Sequence, residues 1–453
     1  MDRVFPDVER FGGAALVPEV RALNDFMVQL RRHFHAHPEL SFQEHATAAR
    51  VAEVLRGLPG VSEVKEGVGR TGVVAMIYGG AGAGPCIGLR ADMDALPLQE
   101  TGDCPFISQS PSVMHACGHD GHMAALLGAA SALGATAASL RGSIKLIFQP
   151  AEEGFGGARE MIQDGVLEAG AGLGPHVDEV YGAHLWSYEP LGMVGARKGA
   201  MMAGSDKFTI TVRGKGGHGA APQSTVDAVV AAATLVTALQ TVVSRSVDPL
   251  EPAVLTCGTI NGGYGHNIIA DEVTIGGTTR AFHPSVQGVI RERMGCLCAG
   301  VGASFGARIE LDYKEGYPPT VNSCEASLAA VYEAAGAVVG KDRVTGNVIT
   351  CGAEDFSYFL QQRPGTFFFV GAALPGMLRP HHKRCVCCVC VQCVRNVCAP
   401  PQLFYHFAST HSSALPPLPP SAASPPCSVF DFHEDSIAIT ASVFVNLVRK
   451  KLG

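Results

Sequence analysis

The sequence predicts an α/β fold, a largely parallel mixed sheet interrupted by an inserted ferredoxin-like β-α-β-β-α-β unit. Two observations predict it. Short apolar runs alternate with helical patterns in both the first and last parts of the chain, as in a parallel sheet covered by helices. Between residues 196 and 315 the order becomes strand, helix, strand, strand, helix, strand, which is the split βαβ arrangement. At 453 residues the chain exceeds what one core usually serves, so two domains are expected.

The elements follow in order. Residues 17–58 read as two helices, with the capping-box pattern Ser41-Phe-Gln-Glu44 ahead of the second. Strands are expected over 72–78, 86–89, 143–148 and 179–185, and helices over 119–133 and 157–164. The inserted unit has strands over 206–212, 253–260, 272–282 and 307–313, and helices over 225–243 and 284–301. Its length of about 120 residues is ordinary for a domain. After Tyr317-Pro-Pro the first pattern resumes with a helix over 323–339, a helix opened by Gly352-Ala-Glu-Asp-Phe356, an aromatic strand over 366–370 and a last helix over 434–451. The first domain is therefore discontinuous, 1–195 and 316–453, around the second at 196–315. Residues 384–427 break the order with a Cys/Val tract and then a proline-rich run. Such composition cannot pack a core and reads as a disordered or extended insertion.

Composition narrows the function. Hydrophobic residues make up 47% and charged residues 17%, as in an ordinary globular protein. The formal net charge of −7 argues against a nucleic-acid partner. No uninterrupted apolar stretch of membrane-spanning length stands out; the Ala-rich run over 226–243 carries Thr and Gln. The first residues lack an apolar secretory core, so a cytoplasmic location is expected. Six of the fifteen cysteines fall between Cys385 and Cys398, unlike an evenly spaced disulfide framework. Their spacing is also too tight for paired zinc knuckles. The tract reads as a lineage-specific insertion or as translated non-coding sequence.

Four short segments are rich in metal-binding side chains: Asp92-Met-Asp94, His115-Ala-Cys117-Gly-His119-Asp120, Gln149-Pro-Ala-Glu152-Glu153 and Gly182-Ala-His184-Leu-Trp186. Three of them follow runs that read as buried strands. Ligands of open α/β sheets bind at the carboxyl ends of strands. Cys, His and Glu presented there suit a borderline divalent metal such as zinc or manganese.

These segments resemble a known family. His115-Ala-Cys-Gly-His-Asp-Gly-His-Met123, Phe148-Gln-Pro-Ala-Glu-Glu153 and Gly182-Ala-His-Leu-Trp186 are similar to motifs of metal-dependent amidohydrolases related to aminoacylases and carboxypeptidases. The branch holds auxin–amino-acid conjugate hydrolases, hippurate hydrolases and N-acyl-amino-acid amidohydrolases. Arg90-Ala-Asp-Met-Asp-Ala-Leu-Pro97, Gly214-Lys-Gly-Gly-His218, Gly265-His-Asn267 and Gly352-Ala-Glu-Asp-Phe-Ser357 extend the likeness over essentially all of the chain outside the insertion. The resemblance implies two divalent metal ions per subunit, manganese or zinc, held by Cys117, His119, Glu153, His184 and a final His. His381 and His382 are the candidates for the last; removing the insertion restores the expected spacing best for His382. It further implies Glu152 as general base. His218 is implied to stabilise the oxyanion, often across a homodimer interface, and Asn267 and Arg280 to hold the substrate. The inserted unit then serves as lid and dimerisation domain. Gln223 departs from the pattern, since relatives commonly carry His there.

The chemistry fits those residue types. Water and an amide are both unreactive at neutral pH, and bound metals can activate both. A carboxylate such as Glu152 must then carry the proton from water to the leaving amine. Asp94 is expected to orient a ligand His from outside the metal sphere. His122, one turn after His119, reads as structural. The substrate expected is an N-acyl amino acid with an aromatic or auxin-like acyl group. A dipeptidase or aminopeptidase, or a non-catalytic metal-binding protein disabled by the insertion, are the competing readings.

Overall fold

Four apolar runs, Cys86–Asp92, Ser143–Gln149, Glu179–Pro190 and Gly365–Ala373, lie side by side and in parallel. They form the centre of an eight-stranded sheet in a computed structural model that describes residues 10–101, 104–170, 172–374, 427–428 and 431–453. Three of the four are buried along their whole length, which is why they read as continuous apolar runs rather than alternating ones. The sheet is mixed. On one flank Gly72–Tyr78 runs antiparallel to Ser143–Gln149, and Val61–Val68 pairs antiparallel with Gly72–Tyr78. The strand Val61–Val68 escapes the sequence reading because its burial is broken and much of it is exposed.

Helices Asn24–Ala36, His119–Ala135, Glu325–Val339 and Asp435–Leu452 cover one face. The central one, His119–Ala135, is buried on nearly all sides, so it shows no apolar stripe. The opposite face packs on residues that include Met161, Trp186, Phe356 and Phe359.

The capping box does not form. The Ser41 hydroxyl donates to Asp94 instead, at 2.6 Å, and the Glu44 carboxylate accepts from Thr71 and from the Ala151 N–H. The exposed N–H groups at the start of helix His45–Gly57 are satisfied by Glu39, which accepts from Ala46 and Thr47. A buried site elsewhere outbid the local pattern for both side chains.

The β-α-β-β-α-β order is present. Strands Gly204–Arg213, Ala253–Gly262, Glu272–Ala281 and Arg308–Tyr317 form a separate antiparallel four-stranded sheet. Gly204–Arg213 alternates between buried and accessible residues, as a sheet covered on one side should. Helices Ala228–Thr241 and Pro284–Phe305 supply the cover. The stretch Ala228–Ser246 is long and apolar enough to cross a membrane by length and composition alone. Here Ala228, Ala231, Ala232, Leu235 and Leu239 are buried against the small sheet's core.

The strand Thr320–Asn322 leads back to the large sheet. Asn322 is fully buried, and its side chain acts as a missing strand: Oδ1 accepts from the Phe367 N–H at 2.8 Å and Nδ2 donates to the Phe367 carbonyl at 2.9 Å. Asn322→Ala leaves both backbone groups buried without partners. It should lower stability by about 2–4 kcal/mol, read as a shift in urea midpoint at constant slope. An unchanged midpoint would show that water replaces the side chain.

Candidate metal centre

The segments between strand ends and helix starts carry the site. Asp92 ends one parallel strand, Glu152 and Glu153 follow a second, and His184 lies on a third. His119 opens the buried helix. Its preceding residue, Gly118, sits at φ +97°, a left-handed conformation that L side chains rarely adopt, and this bend turns Cys117 back over the helix start.

The ring of His119 is set by its neighbours. Nδ1 donates to the Asp94 carbonyl at 2.8 Å, which leaves Nε2 to face the centre. Nε2 is buried with no hydrogen-bond partner among the described residues; the nearest charged group is Asp92 at 3.5 Å. His184 is arranged in the same way: Nδ1 donates to the Leu185 carbonyl at 2.7 Å, and Nε2 lies 3.4 Å from the Cys117 sulfur. Burial and the neighbouring His122 hold the His184 ring well below its ordinary pKa, in the neutral form that coordinates metals.

Three donor groups share His119, one of them with Asp92 and His122. The donor atoms of Cys117, His119 and His184 lie within 4.8 Å of one another, as do those of His119, Glu152 and Glu153. Glu153 Oε1 is a further buried atom without a hydrogen-bond partner. Unpartnered buried donors are costly unless something binds them. Charge points the same way. Asp92, Asp94, Glu152, Glu153, Glu354 and Asp355 converge here, and Arg90 is the one permanent cation ion-paired to them among the described residues. Thiolate, imidazole and carboxylate with excess negative charge fit two adjoining divalent cations.

The turn bearing Glu152 and Glu153 is held from behind. Asp94 accepts the Glu152 N–H at 2.9 Å and the Glu153 N–H at 3.0 Å, one with each carboxylate oxygen. Burial opposes ionisation of Asp94, but His119, Ser41 and these amides hold it below the usual carboxylate range. Burial and then Glu354, Glu153, Asp355 and Asp94 push the Glu152 carboxyl well above that range. Burial likewise lifts Glu153 to about 7. Two buried carboxyls side by side, both with raised affinity for protons, are a feature that clusters at functional sites.

Other expected residues are placed differently. His122 uses both ring nitrogens, Nδ1 with Asp92 at 2.6 Å and Nε2 accepting from the Leu185 N–H, so it has no lone pair to spare. His218 is exposed on a two-residue strand paired with Ile268–Ile269, and its Nδ1 accepts from Ala220. Asn267 is its neighbour, the Asn267 carbonyl accepting from Gly219 at 2.8 Å. Arg280 folds back on its own strand, donating to the Thr278 hydroxyl and the Thr279 carbonyl. Neither His218 nor Arg280 has a contact with the cluster among the described residues. His381 and His382 lie outside the described residues, as does all of 384–427 except Cys427, which is described together with Ser428. That pair runs parallel to Gln99–Glu100.

Sequence reading placed Arg90 and its partners in motifs but gave Arg90 no role. Arg90 is fully buried in the strand Cys86–Asp92 and donates to Gln149, Asp92, Glu354 and Asp355 at 2.7–3.0 Å. An arginine inside an apolar run was the available signal. A second Cys/His/Glu group, His35 with Glu100 and Cys104, is closed by hydrogen bonds: the His35 ring is already engaged by Asp120 and Glu100.

Donor residues gathered at the carboxyl ends of a parallel sheet, beside a carboxyl of raised pKa, define a metal-dependent hydrolase. Residues 88–398 match the family model of peptidase family M20/M25/M40, and the chain belongs to that family. It is 44% identical over 308 residues to the N-acyl-L-amino acid amidohydrolase of Geobacillus stearothermophilus, covering 68% of this chain and 80% of that one. It is 40% identical over 364 residues to IAA-amino acid hydrolase ILR1-like 4 of Arabidopsis thaliana, covering 79% and 80%. A dinuclear metal-binding M20 peptidase from Bacillus subtilis has the same fold at TM-score 0.71 and 28% identity, over 94% of this chain and 98% of that one. The chain is thus a hydrolytic enzyme of the amidohydrolase kind, in a family with a dinuclear metal-binding member.

Cys117→Ser and His119→Ala should each lose bound metal, because each removes a donor from the shared cluster. Elemental analysis of purified variants reads this directly. Full occupancy in both would place the metals elsewhere.

Proposed function

We propose that this enzyme hydrolyses the amide bond of N-acyl amino acids, with an aromatic or auxin-like acyl group, to a carboxylic acid and a free amino acid. The observation that carries the reading is the Glu152 carboxyl, buried and raised in pKa, beside the Cys117, His119, Glu153 and His184 donors. The names of the Geobacillus and Arabidopsis relatives support the substrate class. His382 completes the donor set in this reading, and the metals are two manganese or zinc ions.

When bound, the metals supply Lewis-acid activation of the scissile carbonyl and the attacking water. The protein supplies the rest. Glu152 takes the proton from that water and delivers it to the departing amine nitrogen. Asp94 keeps His119 in the right tautomer through its carbonyl, and keeps Glu152 and Glu153 in place through its carboxylate. Arg280 and Asn267 receive the free α-carboxylate, an anion that suits a guanidinium fork. For this Arg280 must exchange its bonds to Thr278 and Thr279 for the substrate. His218 stabilises the tetrahedral oxyanion from a partner subunit of a homodimer, which accounts for its exposure and its distance from its own cluster. The four-stranded sheet, residues 196–315, is then a lid and dimerisation domain on a catalytic domain made of 1–195 and 316–453, and the enzyme acts in the cytoplasm.

Turnover of a panel of N-acyl amino acids, with dipeptides as the contrasting set, tests the substrate class; faster turnover of the dipeptides would sink it. Glu152→Gln should keep its metal and lose about two to four powers of ten in kcat; near-normal turnover would remove Glu152 from the mechanism. A shared site makes a separate forecast. Mixing His218→Ala subunits with Glu152→Gln subunits should restore part of the activity that each lacks. Confirmed heterodimers without recovery would rule against His218 acting across the interface.

A further inference from the structure

Tyr317 ends the strand Arg308–Tyr317 of the small sheet, but its side chain leaves that sheet. Its hydroxyl donates to the Glu152 carbonyl at 2.6 Å and accepts from the Gly156 N–H at 2.9 Å. One hydroxyl therefore spans the turn that carries Glu152 and Glu153. Asp94 holds the amides of the same two residues, so Tyr317 takes backbone groups that Asp94 leaves. Burial pushes the Tyr317 hydroxyl far up in pKa, so it stays a neutral donor.

The other end of Tyr317 is tied to the small sheet. The adjacent Gly316 N–H donates to Asp206 Oδ1 at 3.0 Å, while the Tyr358 hydroxyl, from the helix Ser357–Gln362 beside the large sheet, donates to the Gly316 carbonyl at 3.1 Å. Asp206 lies on the neighbouring strand Gly204–Arg213, where its other oxygen accepts from the Tyr313 hydroxyl at 2.7 Å and from Gln287. The rings of Tyr317 and Tyr358 meet edge to face. Pro318 and Pro319 follow and restrict the chain as it leaves. A continuous run of short polar contacts thus joins the small sheet to the backbone of Glu152.

We propose that Tyr317 is a positioning residue for Glu152, fixing the proton-carrying carboxylate to the placement of the four-stranded sheet. This rests on Glu152 being the general base. A displaced sheet would shift the turn that carries Glu152, so catalysis depends on lid placement.

Tyr317→Phe removes only the hydroxyl. We expect kcat to fall about ten- to a hundredfold, with KM within about threefold and metal content unchanged. In a Glu152→Gln background the same substitution should have almost no further effect on kcat, because residues acting through one another are non-additive. Unchanged kcat in Tyr317→Phe overturns the proposal, as does an equal loss in both backgrounds or a loss of metal. If Glu152→Gln itself keeps near-normal activity, the general-base reading fails first, and that result is distinct from the others. Should Tyr317→Phe not fold, Asp206→Ala removes the small-sheet acceptor of the Gly316 N–H. It should lower kcat by a smaller factor with metal retained, and an unchanged kcat there overturns the proposal.

Discussion

The Asp94 carboxylate joins the two loops from which the site is built. It accepts two backbone amides from residues 58 and 59 positions away, and a hydroxyl from Ser41. Its carbonyl takes the His119 Nδ1 proton. The three donors on its carboxylate favour the charged form, and the fourth, on its carbonyl, fixes the ring of His119. The direction of His119 Nε2 and the direction of the Glu152 side chain thus have a common origin. Had the ring and the carboxylate been anchored separately, small loop motions would have changed their spacing. Here they move together or not at all.

Arg90 sets a second condition. It holds Asp92, Glu354 and Asp355 inside the protein at 2.7–3.0 Å, and one guanidinium cannot balance all the acids around it. Buried like charges either take up protons or draw cations. The raised pKa of Glu152 and Glu153 is the first response, and a place that would draw in divalent cations is the second. One surplus of charge therefore serves both affinity for metals and a carboxylate ready to hold a proton.

Local patterns in the sequence were informative where burial is uniform or alternation is clean. Strands Gly72–Tyr78 and Ser143–Gln149, and the β-α-β-β-α-β order of the small sheet, were legible for that reason. Cys117, His119, Glu153 and His184 stand in segments that the sequence marks as rich in metal-binding side chains, and the structure brings their donor atoms near one another. Asp94 was expected to orient a ligand His; its backbone carbonyl, not its carboxylate, makes the short bond to His119. Glu44 was misread because a local capping pattern says nothing of Thr71 and Ala151. Tyr317 and the Arg90 network were invisible because their partners lie 165 and 264 positions away, and no periodicity records such pairs. The expected final His stands outside the described residues, so four of the five expected donors fall among the described ones.

Ala151, just ahead of the two glutamates, has φ +52°, a conformation that non-glycine residues seldom adopt. Its N–H is held by Glu44, and the residues after it are held by Asp94 and Tyr317. The bend is therefore imposed from three distant parts of the chain and is not a preference of the segment itself. The string Gln-Pro-Ala-Glu-Glu marks the place of the chemistry without encoding its shape. An engineer who grafted that loop onto a foreign scaffold would transplant the letters and leave the curvature behind, unless surrogates for all three clamps travelled with it.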